Sequence, residues 1–258
     1  MGDYCEVSKE GRLTLIKINR PEVMNSLHPP GNSELASVFD EFVADPDQWV
    51  AIITGEGNKA FCAGNDLKYQ ASGADMSGQP ATGFGGITSR FDNPKPVIAA
   101  VNGVAMGGGF EIALACDLII ASEDAVFALP EPRVGLAALA GGIHRLPREI
   151  GMKQAMGMLL TGRRVSAVEG KELGFVNEIC PQGEVLQCAR AWATLILECA
   201  PLSVRGSKEA AMQGMNAFSI EEAIKTRYKQ IQAMYESSDF IEGPKAFSEK
   251  RAPNWQGK

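Results

Sequence analysis

Residues 95–117, KPVIAAVNGVAMGGGFEIALACD, restrict this chain more than any other stretch. The apolar run 97–101 is short and bounded by Pro96 and Asn102-Gly103, which predicts a buried strand. A turn follows, then Gly107-Gly108-Gly109, then an apolar run over 110–116 without breakers, which predicts a buried helix. A helix opening on glycines presents its first N–H groups with no side chain in the way. Those groups lack intrahelical partners and stand at the positive end of the helix dipole. Such a corner accepts a phosphate, a carboxylate or a developing oxyanion. Glu111 lies just inside the helix, close to those donors. The same pattern also describes a tight strand-to-helix turn whose glutamate complements the dipole, and this segment alone leaves both readings open.

The length of 258 residues suits one large domain, or a domain with a helical appendage. Apolar content of 45% with 22% charged residues fits a globular protein with a sizeable core. A net charge of −6 gives no electrostatic footprint for nucleic acid. No run approaches the ~18 apolar residues of a membrane span, and the N-terminal residues are acidic where a signal peptide is basic. The expectation is a cytoplasmic protein, or a mitochondrial-matrix one after processing, without nucleic-acid or membrane partners. The six cysteines form no C-x-x-C pair and mostly lie among apolar residues, so free buried thiols are expected. With only His28 and His144, neither a histidine metal site nor a Ser-His-Asp triad has enough material, and no metal is expected.

Residues 13–18 read as an inner strand stopped by Asn19-Arg20-Pro21. Pro29-Pro30 is expected to hold off any helix until about Ser33, after which apolar residues recur at helical spacing to Val43. Residues 50–54 are a second buried strand. The glycine-rich segment 55–67 suits no regular element, and its core AFCAGND can bring bare backbone against a ligand or be an ordinary loop. Residues 69–89 have no period and read as a flap over a pocket or a disordered excursion. Short strands are expected at 118–121, 125–129 and 175–179. Between the last two, Pro130 and Pro132 predict a stiff, extended backbone at Glu131. That would position a carboxylate at little entropic cost, although a proline-rich surface turn has the same signature. Helices are expected at 143–150, 152–160, 166–173 (with a Ser166/Glu169 capping box), 184–199, 202–216, 219–236 and 241–251. A change of character near 195–200 divides an α/β core, 1–195, from a C-terminal helical region, 196–258.

The pieces together resemble the crotonase, or enoyl-CoA hydratase/isomerase, superfamily. The resemblance rests on Asn19-Arg20-Pro21 with Asn25, AFCAGNDL, the 95–117 run, FALPEPRVGLA, GGIHRLPR, LLTGRRVSA and EGPKAFSEKR, in order along the chain. It implies a spiral of β-β-α units with a C-terminal helical trimerisation region, assembly as a homotrimer or homohexamer, and an acyl-CoA thioester as substrate. Coenzyme A would be part of the substrate, with no separate cofactor. By the same resemblance the Asn65 and Gly108 amides form an oxyanion hole. Val23, Met24, Ala63, Asp66 and Leu67 would line the CoA site, and Phe247 and Lys250 would reach the CoA of a neighbouring subunit.

Glu111 and Glu131 fall on the two glutamates of the hydratase pattern. Adding water across a 2-enoyl thioester needs a base for the water and an acid for C2, and two carboxylates around one water can share that work. The expected activity is therefore enoyl-CoA hydratase, a syn addition of water. An enoyl-CoA isomerase or a carnitinyl-CoA dehydratase-like enzyme is the nearest alternative, and a non-catalytic acyl-CoA-binding scaffold the alternative of another class. Leu139 stands where the hydratase pattern has a glycine near the attacking water, which implies a remodelled acyl pocket. The glycines do not spell G-x-G-x-x-G, and no Gly-Lys-Ser/Thr follows them, which argues against dinucleotide-binding and Walker-loop readings.

Overall fold

The computed structural model describes residues 2–258. An N-terminal hairpin joins β1 (Cys5–Glu10) to β2 (Leu13–Ile18). Next come α1 (Pro29–Ala44), β3 (Val50–Gly55), β4 (Ala60–Cys62) and α2 (Leu67–Ala71). The organising stretch supplies β5 (Val97–Val101), β6 (Val104–Met106) and α3 (Gly108–Ala115). Then follow β7 (Leu118–Ser122), β8 (Val126–Ala128), α4 (Gly142–Ile150), α5 (Met152–Thr161), β9 (Val165–Ser166), α6 (Ala167–Leu173) and β10 (Glu178–Cys180). The chain closes with α7 (Val185–Leu197), α8 (Pro201–Gly214), α9 (Ile220–Lys225), α10 (Lys229–Tyr235) and α11 (Asp239–Ser248).

Two sheets result, one in the order β1-β2-β3-β5-β7-β10 and one in the order β4-β6-β8-β9. The pairs β3/β4, β5/β6 and β7/β8 each place one strand in each sheet, which is the expected spiral of β-β-α units. From β2 to β10 the larger sheet is parallel, so it is covered on both faces. Along β3 the residues alternate: Ala51 and Ile53 enter the main core with α1 and α3, while Val50 and Ile52 face α7. In the main core Phe110, Phe127 and Phe175 form a ring cluster with centroids 5.1–5.2 Å apart. Phe110 immediately precedes Glu111, so this cluster fixes the roll of α3 and with it the direction of the glutamate. Truncating a fully buried phenylalanine of this kind costs about 3–5 kcal/mol.

Several expectations change. α1 starts at Pro29, four residues earlier than the sequence suggested, because the two prolines occupy the first turn, where a missing N–H costs nothing. His28 caps it, its Nδ1 accepting from the Gly31 amide at 3.3 Å. Glu131 is not on extended backbone: it opens a 3-10 turn, Glu131–Val134, since the fixed φ of Pro132 also suits a helical turn. The expected helix over 219–236 is two helices, broken where the Tyr228 hydroxyl donates to the Ala223 carbonyl and Thr226 ends α9. The last helix, expected at 241–251, is α11 over Asp239–Ser248, so Pro244 lies inside it. The segment 69–89 is partly docked: the Gly85 amide donates to Asn32 Oδ1 at 2.8 Å, and Ile87 and Thr88 are buried. All six thiols are free, but Cys199 is exposed.

Candidate active site

Two glycine-bearing segments meet at the head of α3. Residues 63–65 lie alongside Leu27 as a parallel bridge, in which the Leu27 amide donates to the Gly64 carbonyl and the Asp66 amide to the Leu27 carbonyl, both at 2.8 Å. That pattern turns the amide of the intervening Asn65 away from Leu27, and it donates to no acceptor among the described residues. Gly108 is the first residue of α3, so its amide has no intrahelical acceptor. The segments are in close contact: a Cβ on Gly64 would stand 2.6 Å from the Met106 carbonyl oxygen and 3.1 Å from the Gly108 nitrogen. Gly64 also has φ +90°, a conformation side chains rarely adopt. Two unengaged main-chain donors are thereby held on neighbouring loops, and the ring of Phe84 lies against Gly108.

The segment that leads through β4 to Asn65 is held by two buried side-chain amides, Asn25 and Asn102, whose bonding no spacing along the chain marks. Asn102 Nδ2 donates to the carbonyls of Gly55, Gly57 and Ala60, and Asn25 Nδ2 to those of Glu56 and Ala60. Asn25 itself sits at φ 56°, in the turn where Met24 accepts from the Ala63 amide at 3.0 Å. Met24 is therefore held beside Ala63, and Val23 precedes it in the same turn. The Asp66 carboxylate is 6% exposed and engaged: it caps α2 through the Tyr69 amide and pairs with Arg20 at 3.1 Å. Leu67 is half exposed at the start of α2. Phe247 and Lys250 lie on and just after α11, with Phe247 87% exposed.

Both glutamates face the first turn of α3. Glu111, 3% exposed, accepts from the Gly142 amide at 2.9 Å, and the Ala140 amide faces the same carboxylate. Burial pushes its pKa up to about 7; the Gly142 amide opposes that rise and nearby Glu131 adds to it. Glu131 is raised as well, by burial. Its Oε2 is buried and has no hydrogen-bond partner among the described residues, while its Oε1 would stand 2.7 Å from a Cβ on Gly107, a residue with φ +53°. The two carboxylates thus differ in their partners: Glu111 accepts from main-chain amides, whereas Glu131 keeps one buried oxygen without a partner among the described residues. Arg145 braces the loop over Glu111: it donates to the Thr88 carbonyl at 2.8 Å and lies against Gly141. Leu139 is 76% exposed and projects from this loop, so it fills no space in the protein interior.

A spiral of strand pairs with two carboxylates beside unengaged loop amides defines a class, and comparison with known proteins agrees with it. The family model described as enoyl-CoA hydratase/isomerase matches residues 8–258. The carnitinyl-CoA dehydratase of Proteus mirabilis (strain HI4320) is 41% identical over 263 residues, covering 100% of both chains. The protein of the same description from Salmonella typhi is 40% identical over 266 residues, again covering 100% of both. Among solved structures, the enoyl-CoA hydratase EchA1 of Mycobacterium marinum superposes with a TM-score of 0.92 at 38% identity over 100% of each chain. The carnitinyl-CoA hydratase of Mycobacterium avium gives 0.79 at 38% identity, also over 100% of each chain. The chain belongs to the enoyl-CoA hydratase/isomerase family, and its fold is the crotonase fold.

Proposed function

We propose that this protein is a hydro-lyase acting reversibly between a 2-enoyl-CoA and the corresponding 3-hydroxyacyl-CoA. The thioester oxygen is received by the Asn65 and Gly108 amides, and negative charge gathers there as C2 takes on enolate character. Such a donor is worth about 3 kcal/mol to the barrier. Glu111, held in place by the Gly142 amide, orients the water and takes its proton as oxygen bonds to C3. Glu131 delivers the proton to C2 from the same face, and the reverse sequence eliminates water. The observation that carries this reading is a second carboxylate, that of Glu131, whose buried Oε2 has no hydrogen-bond partner among the described residues. Moving a double bond needs one proton carrier, whereas adding water calls for two.

The relatives named carnitinyl-CoA dehydratase favour a particular acyl group within this chemistry, a four-carbon chain ending in trimethylammonium. The aromatic ring of Phe84 beside Gly108 is a surface on which such a cation can rest. The two readings are separated by a panel of crotonyl-CoA, branched and aromatic enoyl-CoAs, and the trimethylammonium-bearing enoyl-CoA, followed by loss of enoyl-thioester absorbance. Hydration of the cationic substrate at least ~10-fold more efficiently than crotonyl-CoA, about 1.4 kcal/mol, selects the carnitinyl reading. CoA binding without turnover of any member overturns both. Assembly as a trimer or hexamer belongs to the same proposal, with the exposed apolar residues Phe218, Ile220, Ile224 and Phe247 of the C-terminal helical region as the surface for it.

A further inference from the structure

On the opposite side of the larger sheet from the glutamates, its edge strand β10 and the helix α7 bring together a set of groups that the hydration chemistry does not use. Glu178 and Cys180 are two apart on β10 and so share one face of the strand. Cys188 and Trp192 are four apart on α7 and share one face of the helix. The Cys180 and Cys188 sulfurs and a Glu178 carboxylate oxygen all lie within 4.8 Å of one another. Cys180 is 2% exposed, whereas Glu178 and Cys188 are half-buried, so the cluster has a solvent side. The Trp192 indole N–H donates to Glu178 Oε2, which orients the carboxylate. A search for C-x-x-C pairs or histidine sets passes over this arrangement, because its two cysteines are eight residues apart, one on a strand end and one on a helix.

We propose that Glu178, Cys180 and Cys188 form a binding site for a thiophilic divalent cation of the zinc type. Two sulfurs on one zinc, with Zn–S near 2.3 Å, stand about 3.8 Å apart, within the spread of the three ligand atoms. Two thiolates and one carboxylate fill three positions of a tetrahedron, and water takes the fourth on the exposed side. Binding releases two protons, one from each thiol, and leaves the site with a net charge of −1. The indole of Trp192 acts as a positioning group, as hydrogen-bond donors behind metal-bound carboxylates do. The cation would tie the edge strand to the helix that covers the sheet, a role in stability and not in hydration.

The test uses full-length protein, reduced and freed of metal, titrated with Co2+ under anaerobic conditions and then with Zn2+. One Co2+ per chain is expected, with a thiolate-to-cobalt charge-transfer band, quenching of tryptophan fluorescence, and displacement of the band by Zn2+. Cys180→Ser and Cys188→Ser each lose the band. Trp192→Phe, which keeps the ligands, weakens binding roughly 10-fold. Cys199→Ser, which removes an exposed thiol elsewhere, leaves it unchanged. The proposal is overturned if the wild type shows no charge-transfer band. It is equally overturned if the band survives Cys188→Ser in a variant whose circular dichroism matches the wild type, or if the reduced pair forms a disulfide and takes up no metal.

Discussion

The contact between Gly64 and the loop before α3 gives the sharpest handle on the proposed oxyanion site. Gly64→Ala places a methyl group 2.6 Å from the Met106 carbonyl oxygen and 3.1 Å from the Gly108 nitrogen. Ordinary van der Waals contact begins at 3.4 Å, so the two segments must part by roughly 0.8 Å. An oxyanion donor works at about 2.7–3.1 Å, and a shift of that size takes one amide beyond hydrogen-bond reach. Losing one such donor costs about 3 kcal/mol of barrier stabilisation, which is a fall of about 150-fold in kcat. The left-handed φ of Gly64 adds a stability cost of about 1–2 kcal/mol, because an alanine there is strained. The substitution is distant in chemistry from the two glutamates, so the pH dependence of the remaining rate should match the wild type. Stopped-flow loss of enoyl-thioester absorbance measures kcat, and urea titration measures stability. A folded Gly64→Ala protein with kcat within threefold of wild type would refute the idea that these two loops jointly bind the thioester oxygen.

Further expectations follow from the same site. Glu111→Gln should lower kcat by about 100-fold or more while leaving CoA affinity nearly unchanged, read by steady-state kinetics and CoA titration. Because the folded pKa of Glu111 is raised from 4.5 to about 7, the native state holds the extra proton between those values, and stability declines as pH rises through that window. Glu111→Gln removes this loss, so the variant should gain up to about 3 kcal/mol over wild type at pH 8 and little at pH 4; equal stability differences at both pH values would contradict the assignment. Arg145→Met removes a cation that lowers the Glu111 pKa, so the acid limb of the kcat profile should move to higher pH, and an unmoved limb would deny Arg145 that influence. Leu139→Gly should change the preference among acyl groups while altering stability by less than about 0.5 kcal/mol, as its exposure suggests; an unchanged substrate profile dismisses the remodelled pocket.

The inner strands and α3 were legible because they are apolar runs between strong breakers, as at Val97–Val101 between Pro96 and Asn102. β1 was not, since five of its six residues are partly or fully exposed and only Cys5 is buried, so no hydrophobic pattern marks it. β4 and β6 are three residues each and lie among glycines, too short for any period. The backbone at Glu131 was misread because two prolines fix φ without fixing ψ, and tertiary packing chose the helical turn. Glu111 beside the helix head followed from local spacing. Its hold by the Gly142 amide, 31 residues away, and the Asn25 and Asn102 side chains behind the Asn65 loop did not. Those contacts depend on how separate turns of the spiral stack, and no spacing along the chain encodes them.

The hydration mechanism is tested most directly by isotope incorporation. Wild-type protein turning over crotonyl-CoA or its trimethylammonium analogue in deuterated, 18O-enriched water should give a 3-hydroxyacyl-CoA carrying one 18O at C3 and one deuterium at C2, added to the same face. Glu131→Gln should incorporate neither at a comparable rate. Solvent deuterium entering the substrate with no 18O at C3, or double-bond migration without water addition, would contradict the paired-glutamate account.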